Sequence, residues 1–146
     1  LRIKAVRYRK KRSLDANAYY WVLVTKMAEV LKVSKPFMHN HLLRKYGQTE
    51  IFDGKIAYIM LPDTKETEKR IDEMEECHFA PTSQTKHGKD DITYRAYRLL
   101  KGSHTYDTKE MSELIDGTVS EAKELGIETL PPDELERMVN SWHPKS

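Results

Sequence analysis

Apolar and polar residues alternate with period two over residues 1–10. Leu1, Ile3 and Ala5 share one face and Arg2 and Lys4 the other, which predicts a strand. The phase slips at Ala5-Val6, after which Val6 and Tyr8 alternate with Arg7 and Arg9, so a bulge is predicted there. From Ser13, a residue suited to cap a helix, the period becomes helical. Tyr20, Leu23, Val24, Met27, Ala28 and Leu31 form an i, i+3, i+4, i+7 stripe. Ser34 restarts the pattern with Pro36 in the first turn, and Phe37, Leu42, Leu43 and Tyr46 carry a second helix ending at Gly47. Ile51-Phe52, the turn signal Asp53-Gly54 and a return strand from Ile56 to Leu61 then predict a hairpin.

From Asp63 to Glu76 the chain is acidic, with only Ile71 and Met74 spaced as core residues, and a solvent-facing helix is predicted. Residues 80–91, APTSQTKHGKDD, are rich in turn formers and read as a mobile loop. Ile92 to Leu100 reads as a strand with Tyr94 and Tyr97 on opposite faces. Asp107-Thr108-Lys109-Glu110 is a D-x-x-E capping box. The stripe Met111, Leu114, Ile115, Val119, Ala122 and Leu125 follows, and Gly126-Ile127 supplies the ending of a Schellman motif. Pro131-Pro132 opens a last helix carrying Leu135, Met138, Val139 and Trp142. The order β, α, α, ββ, α, β, α, α predicts an α+β fold, a small mixed or antiparallel sheet with amphipathic helices packed on it. With 146 residues the chain is long enough for one core and too short for two ordinary ones, so residues 1–146 are read as a single domain.

Composition and charge narrow the function. The longest apolar run, Tyr19 to Val24, falls far short of the ~20 residues of a membrane span, and no apolar region of a signal peptide follows the basic N-terminus. A single cysteine, Cys77, suits a reducing cytoplasm. Residues 1–60 hold 13 Lys+Arg against 4 Asp+Glu, a net +9, whereas residues 61–146 hold 12 against 19, a net −7. Such a division suggests a basic face for a polyanion and an acidic surface for something else, or neutralisation of one by the other within the fold.

Enzyme motifs are weak. His39-Asn40-His41 spells a nuclease class, but helical residues i and i+2 point about 200° apart and cannot converge on one metal. They read as surface histidines. Cys77-His78 has no second ligand pair at a recognisable spacing, and the carboxylates of 63–76 read as a solvated face. No Gly-rich phosphate loop occurs. Neither catalytic residues, nor a metal site, nor a cofactor are expected.

The basic segment is of another quality. Arg7, Tyr8, Arg9, Lys10, Lys11 and Arg12 run into the start of a helix, whose free N–H groups favour phosphate. Asn17 lies near that start. Tyr19, Tyr20 and Trp21 fan out over about 200°, so at least one ring should face solvent, a partner chain or a base. Gly102-Ser103-His104-Thr105-Tyr106 reads either as a phosphate- or base-orienting turn or as a plain helix cap.

Two blocks of the chain carry a resemblance. Lys11-Arg12-Ser13-Leu14-Asp15-Ala16-Asn17 before an aromatic helix, and Gly102 to Met111 with Leu114-Ile115 and Glu124 to Ile127, resemble in order and spacing the phage NinB/Orf recombination-mediator family. Residues 48–91 match little of it, and around 62–91 the domain reads as variable. The same framework is similar to prophage proteins described as HNH-type nucleases, whose zinc-binding cysteine tail does not occur in this sequence.

The resemblance implies a non-catalytic recombination accessory protein of a phage or prophage, in the cytoplasm of the bacterial host. It implies a homodimer that binds single-stranded DNA, contacts the host single-strand-binding protein and assists recombinase loading. The residues expected to hold DNA are Arg7, Tyr8, Arg9, Lys10, Lys11, Arg12, Asn17, Tyr19 and Trp21, with Arg44, Lys45, Lys101, Ser103 and His104. The alternatives are a metal-dependent phage DNA nuclease or junction resolvase, and a protein adaptor acting through its acidic half.

Overall fold

A computed structural model describes residues 15–144 of the chain. The expected first strand and its basic end, Arg7 to Arg12, lie outside the described residues. So does Ser13, and the helix start is set instead by Asp15, whose Oδ1 accepts the Ala18 N–H at 2.7 Å. The described residues form five helices and two small antiparallel sheets, an α+β architecture.

Helix α1 (Ala16–Leu31) ends at Lys32 in the left-handed region, φ 57°. Helix α2 (Lys35–Tyr46) starts from Ser34, whose Oγ accepts the Phe37 N–H, with Pro36 in its first turn. The hairpin of β1 (Ile51–Phe52) and β2 (Lys55–Ile56) turns through Asp53 and Gly54, both at positive φ, the geometry that matches strand twist in a two-residue loop. The predicted return strand is divided. After Ile56 the chain leaves β1, and β3 (Tyr58–Pro62) pairs with a later strand.

Helix α3 (Lys65–Asp72) is capped by Thr64 and buries Ile71 and Thr67. Strand β4 (Phe79–His87) occupies most of the segment read from sequence as a mobile loop. It pairs with β5 (Thr93–Leu99), giving the order β3-β5-β4. The ladder breaks between Pro81 and Thr85, where Thr82 Oγ1 donates to the Ala96 carbonyl and Arg95 Nη1 donates to the Thr82 carbonyl. Proline is tolerated there because β4 is an edge strand.

A short 3₁₀ turn (Ser103–Thr105) leads into α4 (Thr108–Glu124), where both arms of the Asp107/Glu110 capping box are made. Helix α4 stops in a Schellman motif. Ile127 N–H donates to the Ala122 carbonyl, Gly126 N–H donates to that of Lys123, and Gly126 stands at φ 80°. Helix α5 (Pro132–Asn140) closes the described chain. No described helix is long and apolar enough to cross a membrane.

The core lies between helices. Tyr20, Leu23, Val24 and Met27 of α1 meet Leu42 and Leu43 of α2, Met111, Leu114 and Ile115 of α4, and Trp142 beyond α5. Ala80 and Leu100 are the contributions to that cluster from the side of the sheet. Burying each large apolar chain is worth about 1.5–3 kcal/mol, so the helices carry most of the stability and the sheet is an attached layer.

The two sheet edges differ. β4 is interrupted by Pro81 and a register break and carries exposed Gln84 and Lys86. β3 holds no charge, and Tyr58, Ile59 and Met60 are exposed at 55%, 40% and 43% although successive residues face opposite sides. Ile51, Phe52 and Ile56 of the hairpin are exposed as well.

Candidate nucleic-acid interface

Helix α1 places Asn17 and Trp21 one turn apart on its face toward the 3₁₀ turn. Ser103 Oγ donates to Asn17 Oδ1 at 3.2 Å across 86 residues of sequence. Among the described residues this leaves the Asn17 Nδ2 hydrogens uncommitted. Helix α2 brings His39 against Trp21, with ring centroids 4.4 Å apart. The Leu100 N–H donates to the His78 carbonyl, which fixes His78 beside the chain leading to His104. Asn17, Trp21, His39, His78, Ser103 and His104 together line a cleft of about 360 Å³. A second recess of about 330 Å³ shares Trp21, His39 and His78 with it.

His39 corrects the reading of the two histidines as surface residues, and Asn40 beside it is buried too. His39 is 5% and Asn40 1% exposed, and only His41 lies outside, beside Glu121. The reason is positional: His39 stands three and four residues before Leu42 and Leu43, on the buried stripe of α2. Burial first, then the neighbouring His78, pushes the His39 pKa down to about 3, so the ring is neutral at pH 7. The Tyr20 hydroxyl, whose pKa burial raises, keeps its proton and donates it to His39 Nδ1 at 2.6 Å. The imidazole proton therefore sits on Nε2.

Asn40 sets the second tautomer. Its Nδ2 donates to the carbonyls of Asp72 at 2.8 Å and Met74 at 3.0 Å, with Ile71 at 3.4 Å. That fixes Oδ1 as the acceptor facing His78 Nδ1 at 2.6 Å. His78 Nδ1 must carry the hydrogen. Burial, followed by the charges of Arg44 and His104, lowers the His78 pKa, so its Nε2 is a bare acceptor. The cleft thus has one neutral imidazole that donates at Nε2 and one that accepts there.

Of the residues expected to hold DNA, Asn17, Trp21, Ser103 and His104 come together and Arg7, Tyr8, Arg9, Lys10, Lys11 and Arg12 lie outside the described residues. The others lie away from that cleft's lining. Tyr19 is 6% exposed and its hydroxyl accepts the Leu130 N–H, so its ring belongs to the core. Arg44 Nε donates to the Phe79 carbonyl and Nη1 to Asp72 at 2.6 Å, which ties α2 to the end of α3 and to β4. Lys45 pairs with Glu121 and Lys101 with Glu110. These three cations already face carboxylates.

The sequence reading missed His39 and His78. The first was legible from its spacing to Leu42 and Leu43. The second was not, because its position depends on Asn40 and on the Leu100 bond across the fold. Among the described residues, no three His, Cys, Asp or Glu side chains are placed to hold a metal ion. No family model, curated protein or solved structure matches the chain.

Proposed function

We propose that the chain is a phage or prophage recombination accessory protein that binds single-stranded DNA without cutting it and assists recombinase loading in the bacterial host. One observation carries this reading: Asn17 with Trp21 and Ser103 with His104, from the two blocks that resemble the mediator family, meet across a single cleft. The basic residues Arg7 to Arg12 stand immediately before the helix that carries Asn17. Their role is phosphate contact; that of Trp21 is stacking, worth about 1–3 kcal/mol per base. Contact with the host single-strand-binding protein completes the proposal and rests on the resemblance alone.

A homodimer is part of the same reading, with β3 as its contact. The uncharged β3 edge and the hairpin present six large side chains each about half exposed. Among the described strands β3 is an edge, and an antiparallel β3–β3 pairing would satisfy its outward backbone groups in both copies.

The test is fluorescence anisotropy of a labelled single-stranded oligonucleotide over a range of salt. Neutralising about five phosphates gives a slope of roughly −3.5 in log K against log salt. A flat dependence, or no binding at low salt, overturns the proposal. Adding Mg²⁺, Mn²⁺ or Zn²⁺ to the same samples tests the nuclease alternative, which predicts cleavage and which no observation here favours.

A further inference from the structure

The described rim of the cleft has the wrong sign for phosphate. Among the described residues, Glu50, Glu75 and Glu76 border the larger recess and no Lys or Arg does; Lys35 reaches only the neighbouring one. A DNA backbone is repelled from such a rim and attracted to the basic segment ahead of α1. What suits the interior is an uncharged ring with hydrogen-bonding edges. The volume of about 360 Å³ is at the small end of ligand sites, which run from ~300 to ~1,000 Å³, and fits one ring system rather than a run of nucleotides.

We infer that this cleft takes in a single unstacked nucleobase against Trp21, reads its edge with His39, His78 and Asn17, and favours amino-bearing bases over thymine. The inference rests on the DNA-binding reading and deepens it. Trp21 packs against His39 and borders both recesses with it, so the indole and the imidazole form one aromatic wall for a base. The inner nitrogens of both imidazoles are taken by Tyr20 and Asn40, which leaves a donor at His39 Nε2 and an acceptor at His78 Nε2. Asn17 adds donors through Nδ2.

The carboxylates of Glu75 and Glu76 add acceptors only. Cytosine and adenine carry an exocyclic amino donor beside a ring-nitrogen acceptor, and guanine has amino and ring N–H donors. Thymine offers one ring N–H between two carbonyls. Two carbonyls facing glutamates leave acceptors opposed to acceptors, an arrangement that disfavours thymine.

Two titrations test this. In the first, free deoxycytidine, deoxyadenosine and thymidine are added to the full chain while tryptophan emission is followed. Trp142 is 2% exposed, so Trp21 is the reporter. Deoxycytidine and deoxyadenosine should quench, with thymidine weaker by about tenfold, and Trp21→Ala should abolish the response. In the second, dC15 and dT15 are compared by anisotropy at one salt concentration. Wild type should prefer dC15 by about tenfold, and Glu75→Gln, an exposed change that spares the core, should reduce that preference.

Equal binding of the two oligonucleotides with the full salt slope would overturn the base site and leave DNA binding standing. Nucleoside quenching without oligonucleotide binding would sink the DNA reading and leave a nucleoside site. Absence of quenching by any nucleoside, with Trp21→Ala neutral for oligonucleotides, overturns the inference.

Discussion

A histidine made neutral by burial records that burial in the pH dependence of stability. His39 titrates near 6.5 when unfolded and at about 3 when folded. Below pH 6.5 the unfolded chain binds a proton there that the folded chain does not, so stability falls with falling pH until about pH 3. The expected loss from His39 is about 1.4 kcal/mol per pH unit within that window, with a smaller share from His78, whose pKa is also lowered. The carboxylates with lowered values, Asp63, Asp90 and Glu121, begin from 3.8 or 4.5, so the slope between pH 6.5 and 4.5 belongs to the imidazoles. Urea midpoints measured across that range should show it, and in His39→Gln only the His78 share should remain. A slope unchanged in that variant would contradict the assignment. Among the aromatics of α1, sequence spacing correctly required at least one ring outside the core. It could not say which. Helices α2, α4 and α5 surround α1, so Tyr19 and Tyr20 both find buried partners, and Trp21 is the ring left at the cleft.

Elements meet here through a few specific contacts. Helices α2 and α4 approach where Gly117 faces Tyr46, and a methyl group at 117 would run into the Tyr46 ring. That ring cannot swing away freely, because its hydroxyl donates to Glu121 Oε2 at 2.5 Å. Gly117→Ala should therefore destabilise the fold by about 1–3 kcal/mol through overpacking, although alanine is the better helix former by about 1 kcal/mol. Denaturant unfolding checks the sign; a stabilised variant would mean that the two helices are further apart. The helices themselves were legible in sequence because their caps and stripes are local: Ser34, the Asp107/Glu110 box and Gly126-Ile127 all act as read. Strand β4 was not. Its Thr, Ser, Gln and Lys side chains bury nothing in alternation, and what makes it a strand is main-chain pairing with β5, which leaves no mark on the side-chain pattern. The divided return strand has the same origin, since Tyr58 to Pro62 read alike whether they pair with β1 or with β5.

At the scale of the whole molecule, a helical core carries a thin sheet whose two edges are unequal. Met60→Lys puts a charge on the uncharged edge, where it should abolish β3 pairing while leaving the helical core intact. Sedimentation over a range of loading concentrations should find wild type associating and the variant monomeric, with matched far-ultraviolet spectra; association unchanged in the variant would move the contact elsewhere. The difference between the edges was hidden in sequence because it depends on which strands end up outermost. Its consequence concerns how many copies can join. A sheet open at both sides can add strands without limit, as fibres do. Among the described strands, Pro81 and the broken register close β4, and in the proposed dimer an isologous contact through β3 consumes the other edge of each copy. In that proposed arrangement assembly along the sheet stops at two, so the apolar strand that looks like an invitation to aggregate would also be the reason that it terminates.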